Sequence, residues 1–289
     1  MRRPGLLAAL LWAIAAMPVA AQTSEPSPPP GKEAMVATMP LPGLAEGFTP
    51  QGITVMGDAV LLAGYIYPLP SKEACRVYRL GRTSPAGTAI AKRDIPTPCS
   101  HAGGLAHVGN RLFLGDTTRL IELDADRLFD PAVNPVKRVW PLEKPLFGSF
   151  LAGDRDAVWI GVYAVEGTPK LWRMPLATLD ALAPDSALGT ASADRALPVP
   201  LKSQGASFAR DGALWLTQSG STFGTLTRHD PRTGAENARY DMPPGIEDIG
   251  FAADGRLWAV SEAGALRYTQ WRQVFPFVFA IDIKRLKAR

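Results

Sequence analysis

The stretch Gly57-Asp58-Ala59-Val60-Leu61-Leu62 sets a two-residue turn signal against a short apolar run, and the chain repeats the phrase four more times. The copies are Gly109-Asn110-Arg111-Leu112-Phe113-Leu114, Arg155-Asp156-Ala157-Val158-Trp159-Ile160, Asp211-Gly212-Ala213-Leu214-Trp215-Leu216 and Asp254-Gly255-Arg256-Leu257-Trp258-Ala259. They recur roughly every 43 to 56 residues, a period at which hairpin-built units stack radially. The repeat predicts an all-β, five-bladed β-propeller, with six blades as the alternative.

Four strands can be drawn around each turn. Inner strands precede it at residues 52–55, 103–108, 149–152, 205–209 and 248–252, carrying glycine and other small residues as a crowded axis requires. Third strands follow at 76–80, 119–123, 171–174, 225–228 and 278–281, several alternating polar and apolar. Fourth strands read at 89–94, 136–140, 196–199 and 238–242, and the fifth blade lacks one downstream. Residues 35–39, at the other end of the chain, supply a strand to complete that blade and close the ring, leaving no open edge. Residues 175–195, rich in Ala, Asp and Ser, carry no copy of the turn phrase and read as a short helix or loop inserted in the third blade.

The ends of the chain are of a different kind. Arg2-Arg3, an apolar run from Leu6 to Met17 and the small-residue site Val19-Ala20-Ala21 have the layout of a secretory signal peptide. The expected organisation is a signal peptide at 1–21, a Pro-rich linker at 22–33 and a β-propeller domain at 34–289. The formal charge of +4 falls to +2 once the two signal arginines are removed, and no dense Lys/Arg run suggests a nucleic-acid track. A periplasmic or secreted monomer with no membrane span after signal cleavage is expected. In such a compartment Cys75 and Cys99 should pair, because a hairpin centred on 81–87 brings them side by side.

Topology then points to a site. In antiparallel blades the start of strand one and the end of strand two lie at the same end, so five blades present these positions on one face. The inner-strand starts give Gln51, His101, Ser149, Gln204, Glu247 and Asp248; the second-strand ends give Tyr65, Tyr67, Asp116, Thr117, Tyr163, Glu166, Ser219 and Glu262, among others. A concave funnel with convergent polar groups is the default ligand site; the plainer alternative is a solvated channel with its polar groups paired to each other. Gln51, Tyr65, Ser149, Gln204 and Glu262 are the expected ligand contacts, and His101 with Glu247 the candidate acid/base pair. Calcium is the possible cofactor, with Glu247 and Asp248 as ligands. The three histidines lack zinc spacing, and no phosphate loop or nucleophile elbow occurs. His107 reads as packing and His229 as part of a surface turn. Most aromatics fall at blade-core positions, which argues against a sugar platform; Tyr65, Tyr67 and Tyr163 are exceptions.

Pro50-Gln51-Gly52-Ile53, His101-Ala102-Gly103-Gly104 and Ser261-Glu262-Ala263-Gly264-Ala265 resemble phrases of a group of exported bacterial propeller proteins without an assigned activity. Gly245-Ile246-Glu247-Asp248-Ile249 with Asp254-Gly255 looks like the opening strand of calcium-dependent lactonase and arylesterase propellers. That likeness implies acidic calcium ligands, but the asparagines such sites take from other inner strands have no counterpart here. Phe48-Thr49-Pro50-Gln51-Gly52 is similar to a phrase of the five-bladed plant-type glutaminyl cyclases, with a proline interrupting it. The expected function is binding of a small or extended polar ligand, a small molecule or a glycan-like one, in a cell-envelope binding or scaffold role. The alternative is a calcium-dependent hydrolase of lactonase or esterase type.

Overall fold

The structure, a computed structural model, describes residues 28–68, 75–82, 89–96, 99–183 and 185–289. The expected signal peptide and the first half of the expected linker, residues 22–27, lie outside them.

The chain enters through β1 (Met35–Pro40) and then builds five blades in order. The first holds β2 (Phe48–Met56), β3 (Ala59–Ile66), β4 (Cys75–Gly81) and β5 (Ala89–Asp94); the second holds β6 (Gly104–Val108), β7 (Arg111–Asp116), β8 (Arg119–Leu123) and β9 (Val136–Pro141). The third comprises β10 (Phe150–Gly153), β11 (Ala157–Gly161), β12 (Lys170–Pro175) and, after helix α1 (Leu176–Ala181), β13 (Arg195–Pro198). The fourth has β14 (Ser203–Phe208), β15 (Leu214–Gly220), β16 (Phe223–His229) and β17 (Glu236–Met242), and the last has β18 (Ile246–Phe251), β19 (Leu257–Ser261) and β20 (Phe277–Ile281). Each sheet is a four-stranded antiparallel meander, and β1 supplies the outer strand of the last blade in the order β1-β20-β19-β18. Five blades stand as the repeat predicted, and the inserted segment of the third blade folds as α1 and a short 3-10 turn at Thr190–Ser192.

Apolar clusters fill the five seams between neighbouring blades. The closing seam packs Trp258, Val260 and Val278 of the last blade against Ile53, Val60 and Leu62 of the first. The aromatics at the middle of four second strands, Phe113, Trp159, Trp215 and Trp258, are all buried in these seams. Truncating one to alanine should cost about 3–5 kcal/mol. The turns that generate the repeat need left-handed backbone, which glycine gives at Gly57, Gly109, Gly212 and Gly255 (φ 59°, 60°, 81° and 84°). The third copy has no glycine there. Instead Asp154 Oδ1 accepts from the N–H groups of Asp156 and Ala157 at 3.0 and 2.9 Å, an Asx turn.

Cys75 and Cys99 form the expected disulfide, their Cα atoms 5.5 Å apart. Over a separation of 24 residues it should contribute about 3 kcal/mol in the chain-entropy model, and such a bond persists in an oxidising compartment. His229 departs from the expected surface turn. It is buried, with Nδ1 at 2.9 Å from Gly234 O and Nε2 at 2.8 Å from Thr227 Oγ1, so it staples the turn that follows β16.

At the axis, Asp248 holds the inner strands together. Its Oδ2 accepts from the N–H groups of Ile53 and Leu105, both at 3.2 Å, and its Oδ1 from that of Ala206 at 3.3 Å, which ties three other blades to the last. Gly205 makes this approach feasible, since a Cβ there would lie 2.4 Å from Asp248 Cα.

Candidate funnel site

Above Asp248, three inner strands carry a β-bulge at the same level. Pairing slips between Pro50 and Gly52, between Ser203 and Gly205, and between Ile246 and Ile249. A bulge re-aims the unpaired residue, and the residues so released are Gln51, Gln204 and Glu247 with its neighbour Asp248. The first three converge with Glu262, from the end of β19. Gln51 Nε2 donates to Glu262 Oε2 at 2.7 Å, and Gln204 Nε2 donates to Glu247 Oε1 at 2.9 Å.

Glu247 and Glu262 are both buried and lie within hydrogen-bond reach of each other. Burial raises both carboxyls, and their proximity couples them; Glu262 is pushed up to about 7 and Glu247 well above the usual carboxylate range. Two such carboxyls do not both ionise at neutral pH, so the pair keeps a proton there. Ser219 Oγ lies 3.5 Å from Glu247 Oε1, completing the surroundings of the inner acid.

Gln51, Gln204, Ser219 and Glu262 line the floor of a cavity of about 520 Å3 open to one face, and Glu247 is buried behind Gln204 and Ser219 without lining it. Eight of the sequence-derived residues line it: Gln51, His101, Thr117, Ser149, Tyr163, Gln204, Ser219 and Glu262. Tyr65 does not; it is buried behind His101, rings stacked at 5.1 Å, with its hydroxyl accepting from Arg267 Nη1 at 2.5 Å. His101 is bonded through its backbone N–H to Asp116 Oδ1 at 3.0 Å, and burial lowers its imidazole so that it is neutral. No hydrogen bond joins its side chain to Glu247 or Asp248 among the described residues. His107 points to the opposite mouth, Nδ1 at 2.9 Å from Thr54 Oγ1.

The calcium expectation meets a chemical test at Asp248. Its two oxygens already accept from the N–H groups of three other strands, and burial raises its carboxyl while those donors pull it down. N–H groups directed at both oxygens leave no lone-pair cradle for a cation shared with Glu247. The oxygens remaining at or behind the floor belong to Glu247, Glu262 and the amides of Gln51 and Gln204, short of the six to eight that calcium takes without several waters. Among the described residues, the one grouping of three ligand-type side chains within mutual reach is Cys75, Cys99 and Asp116, and its two sulfurs are bonded to each other.

The strand-end reasoning missed the residues that wall the cavity. Tyr268 and Trp271, with Arg267 beside them, come from the connection between β19 and β20, residues 262–276. Phe147 comes from the link before β10. Length was the available signal, because a connection of about 12–15 residues inside a compact fold is usually functional.

Fold and site together define a closed five-bladed propeller whose funnel floor rests on a hydrogen-bonded carboxyl pair. Among solved structures the chain is similar to the glutaminyl cyclase of Myxococcus xanthus, at 14% identity and a TM-score of 0.60, covering 88% of this chain and 96% of that one. It is also similar to a luciferin-regenerating enzyme, at 9% identity and a TM-score of 0.51, covering 88% and 97%. Likeness at such identities concerns the fold. No family model and no curated protein matches the sequence.

Proposed function

We propose that this is an exported binding protein that takes a small polar ligand, or the end of an extended one, into the funnel. Gln51, Gln204 and the Glu247–Glu262 pair are its reading head. The observation that carries this reading is the pair itself: two buried carboxyls, each held by an amide that lines an open cavity, with Glu262 at its floor. A retained proton lets the pair both donate and accept, which suits a ligand bearing hydroxyl or amide groups. His101 and Ser149 extend the polar lining on the side of the second and third blades. The disulfide agrees with an oxidising compartment.

Acid–base catalysis is the second reading, favoured by one observation, the position of Glu262 near 7, where a general acid or base works best. Protein-detected NMR of a polar fragment library tests the first. Hits should perturb the side-chain amides of Gln51 and Gln204 and the Trp271 indole, and Glu262→Gln should weaken them about tenfold or more. Hits confined to the opposite mouth, or unaltered by Glu262→Gln, would overturn it. Calcium should produce no thermal shift in the wild type; a shift abolished by Glu247→Gln would restore the metal-dependent hydrolase.

A further inference from the structure

Resting on the reading of the funnel as a binding site, we infer that its ligand is an uncharged polyhydroxylated one, a sugar, bound with a ring face against an aromatic wall.

The wall consists of Phe147, Tyr163, Tyr268 and Trp271, drawn from three connections on the funnel face. Tyr163 is one of the exceptions to the blade-core placement of aromatics, and Phe147, Tyr268 and Trp271 join it on the cavity, so the argument against a sugar platform falls. Indole and phenol faces carry a partial negative potential that attracts the C–H face of a pyranose ring. Around them stand groups suited to hydroxyls. Gln51 uses its amide hydrogens on Pro50 O (2.8 Å) and Glu262, leaving its oxygen as an acceptor. Gln204 uses one on Glu247 and keeps an N–H and its oxygen, while Thr117 and Ser149 add hydroxyls.

Charge separates this ligand from its rivals. An organic cation would meet a charge already in place: the Arg267 guanidinium stands 5.5 Å from the ring centroid of Tyr268 in the wall, and it repels a second cation beside it. An anion would face the carboxyl pair. A neutral ligand meets neither obstacle, and about 520 Å3 holds more than a single sugar ring. The same pair argues for binding rather than glycoside cleavage, since the two carboxyls of retaining glycosidases stand about 5 Å apart and those of inverting ones farther. Here only Glu262 lines the cavity, while Glu247 is buried behind Gln204 and Ser219.

The test is saturation-transfer NMR and calorimetry of the full mature chain with a panel of neutral monosaccharides and disaccharides, including maltose, cellobiose and N,N′-diacetylchitobiose. At least one should bind, with saturation strongest on the C–H protons of one ring face. Trp271→Ala and Tyr163→Ala should each weaken it about tenfold or more with the melting temperature retained, and His107→Ala at the opposite mouth should leave it unchanged. If the panel is silent while amines or carboxylates bind in the funnel, the sugar inference falls and the binding site stands. If the panel and the polar fragments are both silent, both fall.

Discussion

The two mouths of the channel are made by the same inner and second strands, yet they differ in almost every respect. At one mouth the strands are joined by the two-residue turns of the repeat. The cavity there, about 430 Å3, is edged by backbone and small residues such as Ala106, Ala152, Ala209 and Ala252, with His107 satisfied by Thr54. At the other mouth the connections are unequal: residues 117 and 118 suffice between β7 and β8, whereas 262–276 span β19 to β20. That irregular mouth holds the bulged Gln51, Gln204 and Glu247, the carboxyl pair and the aromatic wall. The lesson is that regularity and function occupy opposite ends of one scaffold. Between them sits Asp248, whose carboxylate belongs to the scaffold.

Breaking that divider should have the largest effect. Asp248→Asn puts an amide N–H against backbone N–H groups at a fully buried position and should cost more than about 3 kcal/mol, read by denaturant unfolding. A loss below about 1 kcal/mol would return Asp248 to the funnel as a candidate ligand-binding group.

How much of this was legible in the sequence follows the same division. Turn glycines and apolar runs obey local rules, so blade count, ring closure by Met35–Pro40 and the Cys75–Cys99 bond could be read directly. Inner-strand starts and second-strand ends inherit that periodicity, and eight residues, four from each, were placed on the cavity through it. Tyr65 was not, because His101 stacks over it, a contact between blades that no local pattern encodes. Glu247 and Asp248 read as one acidic pair. A bulge sends the first behind the funnel floor and the second into the backbone of other strands, and bulges leave little trace in hydrophobic pattern. Arg267, Tyr268 and Trp271 lie in a non-repeating connection, where only length signalled a role.

The disulfide sharpens the comparison from the funnel side. Cys75 is the cross-strand partner of Tyr65, and Cys99 lies two residues before His101, so the bond ties the stacked pair together. Replacing both cysteines with alanine should cost about 3 kcal/mol and shift the His101 ring resonances while those of His107 stay in place. Unmoved His101 resonances would make the bond a staple of the first two blades alone.

A pH effect of similar size should come from the carboxyl pair. The folded state raises Glu262 from 4.5 to about 7, so between these values it holds a proton that the unfolded chain has released. Stability is therefore greatest below about 4.5 with respect to this group and falls by about 3 kcal/mol as the pH rises through 7. Glu262→Gln should reduce the slope of that segment, to which the raised Glu247 and Asp248 also contribute; an unchanged slope would assign none of it to Glu262. At the regular mouth the expectation is smallest. His107→Ala should cost about 1 kcal/mol, the worth of its bond to Thr54, and leave funnel resonances undisturbed.

Carboxyl 13C NMR of glutamate-labelled protein, titrated from pH 4 to pH 9, addresses the funnel floor without knowledge of any ligand. The Glu262 carboxyl should titrate near pH 7, with Glu247 still protonated when it does, and Glu247→Ala should raise the Glu262 midpoint by removing the neutral neighbour that holds it down. Two independent midpoints near 4.5, each unaffected by substitution of the other residue, would contradict the retained proton on which the site is built.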